Sequence, residues 1–110
     1  EAGEPSLQCA VRELAEETGY RAREWAYAGI LHNAIAYSNE GIEIWFARGL
    51  VAGEQKLDEG EFVEVCTATA EELMAQACSG DLTDAKTLIG LLWLQNWRNG
   101  QWEIRWQAAP

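Results

Sequence analysis

Hydrophobic and polar positions alternate along this chain in two distinct periods. From Pro5 to Gly19, Leu7, Val11, Leu14 and Thr18 recur at steps of three and four residues. That spacing puts them on one face of an amphipathic helix. Pro5 or Ser6 opens it, Pro as a first-turn residue and Ser as a cap, and Gly19 stops it. Tyr20 to Glu24 reads as a polar connector. Trp25 to Leu31, running on through His32 to Tyr37, reads as a strand. Ser38-Asn39-Glu40-Gly41 is a turn cluster, and Ile42 to Val51 is a second strand, β-branched and aromatic, that could pair with the first as a hairpin. Ala52 to Gly60 is an acidic exposed loop. Phe62 to Thr67 alternates apolar and polar and predicts a third strand.

The second half is helical. Thr69 followed by Glu72 is a capping box that opens a helix with Leu73, Met74 and Ala77 on its apolar side, ended by Ser79-Gly80. Asp81 or Thr83 is the expected cap of the last helix. Leu88, Ile89, Leu91, Leu92 and Leu94 make that helix apolar around much of its circumference, which predicts deep burial before the stop at Asn99-Gly100. Trp102 to Trp106 alternates again and predicts a short strand. Helix, three strands and two helices in this order fit an α/β/α sandwich around a mixed sheet, in a single domain spanning residues 1–110.

Composition narrows the function classes. The 110 residues carry a net charge of −10, from 18 acidic and 8 basic side chains. Such a surface repels nucleic-acid backbones and anionic membranes, so neither is an expected partner. A bound cation would reverse that sign locally for a small phosphate ligand. Cys9, Cys66 and Cys78 are widely spaced and form no metal-type pair; an odd, sparse set points to reduced thiols with packing roles in the cytoplasm. No apolar run reaches membrane-spanning length and no signal peptide is visible. Four of the six Trp fall in the last 18 positions.

The chemistry concentrates on the first helix. Glu13, Glu16 and Glu17 are three and four residues apart and share a face away from the apolar stripe. Like charges at those spacings repel, by a few tenths of a kcal/mol per pair in an isolated helix. A shared hard cation such as Mg²⁺, which takes oxygen ligands, would turn that repulsion into attraction. On spacing alone, an acidic run on a helix is more usually a solvated face.

The same stretch resembles the Nudix box, Gly-x5-Glu-x7-Arg-Glu-aliphatic-x-Glu-Glu-x-Gly-aliphatic. Glu4, Arg12, Glu13, Leu14, Glu16, Glu17 and Gly19 match at the required spacing, Tyr20 replaces the final aliphatic residue, and the opening Gly would lie three positions before Glu1. The resemblance implies a Nudix-like α/β/α fold with its N-terminal strands absent from this chain. It implies Mg²⁺ or Mn²⁺ held by Glu13, Glu16 and Glu17 against a diphosphate. Arg12 resembles the arginine that orients a glutamate by ion pairing, and Glu4 would support the loop or the outer metal shell.

Beyond the box, Ala36–Glu43, Phe46–Leu50, Asp58–Val65 and Gly80–Thr87 resemble the ADP-ribose pyrophosphatase branch of that family. The implied reaction is hydrolysis of ADP-ribose or a related nucleotide sugar to AMP and ribose 5-phosphate. In that branch the proton acceptor lies on a loop outside the box; the Gly60–Val65 stretch matches its position, which makes Glu61 the first choice and Glu59 the second. Both also read as solvated charges ahead of a strand. His32, the one histidine, reads as structural. Trp25 and Trp45 could stack on adenine or serve packing; Arg48 stays unassigned. A homodimer is the expected way to cover the edges of so thin a sheet. The alternative is a truncated, catalytically weak domain that acts as a ligand-binding or dimerising module.

Overall fold

The computed structural model describes residues 3–32, 34, 36–37 and 40–110. Its elements are α1 (Ser6–Thr18), β1 (Arg21–Leu31), β2 (Ile42–Val51), α2 (Ala70–Ser79), α3 (Ala85–Arg98) and β3 (Trp106–Ala108). The three strands form one sheet in the order β2-β1-β3, with β1 in the centre. β3 runs antiparallel to β1, Trp25 opposite Gln107, and Ala109 N–H extends the ladder to the Arg23 carbonyl at 2.9 Å. The α/β class is as the sequence predicts, with an antiparallel rather than a mixed sheet.

The predicted bounds of α1 and β2 hold, and β1 starts earlier than expected. Arg21 and Arg23 point to solvent while Ala22, Trp25 and Ala26 are buried, so the supposed connector is already strand. Its inward residue is alanine, which carries little β signal. Part of the expected extension of β1 and of the Ser38–Gly41 turn falls on Asn33, Ile35, Ser38 and Asn39, outside the described residues.

Phe62–Thr67 is not a strand. Phe62 is 94% exposed and Val63 and Val65 are more than a third exposed, and among the described residues no strand pairs with the segment to supply a ladder. Alternation predicts a pleated face but not a partner. The terminal strand lies at Trp106–Ala108 rather than Trp102–Trp106, since that is where pairing with β1 occurs.

Contacts divide the chain into two compact units. The first comprises Glu1–Tyr27, Trp45–Val65 and Arg105–Pro110. Its core is Ala22, Trp25 and Ala26. Trp45 stands edge-on to Tyr27, ring centroids 5.2 Å apart, and its indole Nε1–H donates to the Ser6 hydroxyl at 2.9 Å. That bond occupies the group expected to cap α1; Pro5 sits at the cap position instead, with no side-chain cap bond. Arg48 donates to Glu24 at 2.9 Å and its guanidinium lies 3.9 Å from the Trp106 ring centroid, so it is engaged within the sheet.

The second unit comprises Ala28–Ile44 and Cys66–Ile104. The capping box of α2 forms as read: Thr69 Oγ1 accepts from Glu72 N–H, and Glu72 Oε1 accepts from Thr69 N–H, both at 3.0 Å. α3 is capped by Asp84, not by Asp81 or Thr83. The Asp84 carboxylate accepts from both Thr87 N–H at 2.9 Å and Thr87 Oγ1–H at 2.8 Å, a pairing open only to a side chain three residues before Thr87. α3 packs on α2, yet only Leu91 is buried and Leu92 is 54% exposed. Trp93 also lies against Gly29 and Gly90 near Ile44, yet these contacts do not cover an apolar surface all round the helix, so the predicted deep burial is not reached. Cys66 and Cys78 are exposed rather than packed, and all three cysteines are free. Among the described residues, no helix is long and apolar enough to cross a membrane.

Candidate functional site

α1 carries its charges in two sets. Arg12 sits between Glu4 and Glu16: Nε and Nη2 hold the Glu4 carboxylate at 3.2 and 3.0 Å, and Nη1 holds Glu16 at 3.0 Å. The fork-on-carboxylate geometry suits arginine alone. It holds the Glu4 carboxyl below the usual carboxylate range and raises the Arg12 pKa further, hydrogen bonding being the first cause of both. The pair ties the segment before α1 to the middle of the helix, eight residues on.

Glu13 and Glu17 form the second set, with no cationic partner among the described residues. Glu13 receives only a weak contact from the Cys9 thiol, 3.6 Å from Oε1. Glu17 is exposed as a residue, but the protein around its carboxyl removes part of its hydration, and Glu13, Glu61 and Glu16 add negative charge in that order. The Glu17 pKa is consequently held above the usual carboxylate range.

Glu61 reaches this neighbourhood from the long loop after β2. Glu61 N–H donates to the Asp58 carbonyl at 3.0 Å, and Asp58 N–H donates back to Glu61 Oε1 at 2.7 Å, closing a turn. One carboxylate oxygen of Glu61 is therefore spent on its own loop, and the other is not. Glu59 lies in the same turn and is exposed.

What holds the loop against α1 is the helix C-terminus. Gly19 adopts φ +78°, donates to the Ala15 carbonyl, and lies so close to the Gly53 backbone that a Cβ there would overlap the Gly53 carbonyl. A Cβ on Gly53 would in turn stand 2.8 Å from the Gly19 oxygen. The last carbonyls of α1 are then satisfied by the loop: Lys56 N–H donates to Glu16 O at 2.7 Å, and the Gln55 side chain to Glu17 O at 2.6 Å. Sequence reasoning missed Gln55, because nothing in its neighbourhood distinguishes it from any exposed loop glutamine.

The donor set fits a hard divalent cation in its chemistry: Glu13, Glu16 and Glu17 offer only oxygens, and two of them have no cationic partner among the described residues. Among the described residues, however, no three His, Cys, Asp or Glu side chains converge as ligands of one ion. Glu16 is turned towards Arg12 instead. A cavity of about 370 Å³ opens on a different flank of α1, lined by Val11, Arg12, Glu16, Arg21 and Lys56 among others; Glu13 and Glu17 do not line it. Trp25 is 3% exposed and cannot face a ligand. Trp45 is half-buried and committed to Tyr27 and Ser6, so both tryptophans serve packing. His32 is exposed just beyond β1.

Comparison with known proteins gives this geometry a context. The NUDIX domain model matches residues 1–88. Over 97 residues the chain is 36% identical to the ADP-ribose pyrophosphatase of Bacillus subtilis (strain 168), covering 86% of this chain and 52% of that one. Over 97 residues it is 33% identical to the methanol dehydrogenase activator of Bacillus methanolicus, again covering 86% of this chain and 52% of the relative. The chain thus spans about half the length of these curated relatives. The box on α1, with its arginine bridging two glutamates and its closing glycine pressed on the loop, and the match over residues 1–88, establish that the chain belongs to the Nudix family.

Proposed function

We propose that this chain hydrolyses the diphosphate bond of ADP-ribose or a related nucleotide sugar, giving AMP and ribose 5-phosphate. The observation that carries the reading is the placing of Glu13, Glu16 and Glu17 on the helix that bears the family's box, with Glu61 near enough to Glu17 to add to the negative charge that holds its carboxyl up. Similarity to a protein named as an ADP-ribose pyrophosphatase supports the choice of substrate.

In this reading Glu13, Glu16 and Glu17 would hold Mg²⁺ or Mn²⁺, which neutralises diphosphate oxygens and lowers the pKa of water. The chain's own groups do the rest. Glu61, or failing it Glu59, accepts the proton of the attacking water through the oxygen its turn leaves open. The water oxygen bonds to one phosphorus, the bridging P–O bond breaks, and the bridging oxygen leaves with the other phosphate. Arg12 keeps Glu4 and Glu16 in place and prevents α1 from rotating its carboxylates away. The expectations of a homodimer and a cytoplasmic setting belong to the same proposal; a monodisperse monomer in light scattering would remove the first.

The exposed side chains of Phe62 and Leu92 favour a second reading, a ligand-binding or dimerising module with weak turnover. AMP release from ADP-ribose, measured with Mg²⁺ and with EDTA on the wild type and on Glu17→Gln, decides between them. Metal-dependent release lost in the variant supports hydrolysis; no release from the folded wild type supports the module.

A further inference from the structure

We infer that Gln55 is a positioning residue, whose side-chain amide ties the C-terminus of α1 to the loop and so fixes the turn that carries Glu61. The inference rests on the hydrolytic reading above for its consequence in turnover, and on geometry alone for the tie itself. Gln55 Nε2 donates to the Glu17 carbonyl at 2.6 Å and to the Val63 carbonyl at 3.2 Å. Both partners are acceptors, so only the NH₂ end of the amide serves, and its two hydrogens match the two carbonyls.

The two anchor points have a specific meaning. Glu17 O is one of the last carbonyls of α1, left without an intrahelical donor. The others nearby are taken: Leu14 O by Thr18 Oγ1–H, Ala15 O by Gly19 N–H and Glu16 O by Lys56 N–H. Gln55 takes the next carbonyl in that run. Val63 lies two residues beyond Glu61 on a stretch outside the sheet of the described residues, where Val63 O has Gln55 as its donor. Between the two anchors the chain makes the Asp58–Glu61 turn. The turn is closed within itself, so its placement beside the end of α1 comes from its flanks: Lys56 on Glu16 O on one side, Gln55 reaching across to Val63 on the other. Removing the amide frees the distal end of the turn, so the two bonds that close the turn open more often.

The test uses Gln55→Met, which keeps length and removes both donors, and Gln55→Asn, which keeps the donors and shortens the reach. Exchange of the Asp58 and Glu61 amides, the two bonded within the turn, should quicken about tenfold or more in both, with α1 before Ala15 unchanged. In Mg²⁺ with ADP-ribose, kcat should fall about tenfold to a hundredfold while KM moves less than about twofold. Placed on Glu61→Gln, Gln55→Met should cost less than about a further twofold, since the turn then carries nothing to aim. Unchanged exchange, or the same kcat loss in both backgrounds, would overturn the assignment. So would loss of α1 protection in both variants, because Gln55 would then hold the fold and not the turn. If wild-type protein releases no AMP, the hydrolytic reading fails by itself, and exchange still decides the tie.

Discussion

Gly19 and Gly80 end α1 and α2 in the same way, and the difference between them isolates one term. Both are left-handed, φ +78° and +87°, and each donates its N–H back to a helix carbonyl. A Cβ on Gly80 would meet nothing within 4 Å, whereas one on Gly19 would overlap the Gly53 carbonyl. Gly80→Ala should therefore cost only the backbone term, about 1–2 kcal/mol. Gly19→Ala carries that term and must also push Gly53 to Lys56 off the helix end. That move breaks the bonds from Lys56 N–H to Glu16 O and from Gln55 to Glu17 O. At about 0.5–1.5 kcal/mol each, they add about 1–3 kcal/mol. With a slope of about 1–3 kcal/mol per molar urea for a small protein, the Gly19→Ala midpoint should lie roughly 1 M below that of Gly80→Ala. Urea titrations followed by both tryptophan emission and far-UV circular dichroism read it, and coincidence of the two probes licenses the comparison. Equal losses in the two variants would refute the close-approach argument, leaving Gly19 as an ordinary helix stop.

Thr69→Ala removes one half of the α2 capping box and should lower stability by about 1 kcal/mol, read as a lower urea midpoint. Glu72 and Asp84 are held below the usual carboxylate range by hydrogen bonds to Thr69 and Thr87. Their contribution is complete above the unfolded-state pKa and is lost as pH falls through the lower folded value. A midpoint-against-pH curve should thus decline below the normal carboxylate range, and Asp84→Asn, which cannot titrate, should flatten that decline. Trp45→Phe keeps most of the ring against Tyr27 and deletes the donor to Ser6; exchange of the first-turn amides of α1 should quicken, with a stability loss of about 0.5–1.5 kcal/mol.

Legibility in the sequence followed the range of the interaction concerned. α1 and β2 could be read because their signals are local: periodicity, a stop glycine, a β-branched run. The Thr69–Glu72 box is likewise contained in four residues. Phe62–Thr67 forms no strand because alternation is local whereas pairing is not, and among the described residues no strand accepts it. The α3 cap was ambiguous among residues of similar propensity, and Asp84 won by reaching two groups of Thr87 at once. In the site, the helical positions of Glu13, Glu16 and Glu17 follow from spacing. That Arg12 takes Glu16 out of the unpaired set, and that Gln55 fastens the loop, depends on side-chain geometry that no spacing encodes.

The division of the α1 carboxylates makes opposite predictions for neighbours in sequence. Glu16 already faces Arg12 at 3.0 Å, so its charge is compensated in the protein itself. Glu17 feels the negative charge of Glu13 and Glu61 and has no cationic partner among the described residues. Neutralising Glu16 removes an ion pair, and neutralising Glu17 removes repulsion worth a few tenths of a kcal/mol per like pair. In EDTA, then, Glu16→Gln should lower the urea midpoint slightly and Glu17→Gln should raise it slightly. In Mg²⁺ the order should invert for Glu17: a cation that binds only the folded chain stabilises it by mass action, and loss of a ligand forfeits that gain. Glu17→Gln should therefore show a smaller Mg²⁺-minus-EDTA difference than wild type despite its better apo stability. A Glu17→Gln protein less stable than wild type in EDTA would refute the electrostatic argument. An undiminished Mg²⁺ increment would refute the ligand assignment, and either failure leaves the other measurement intact.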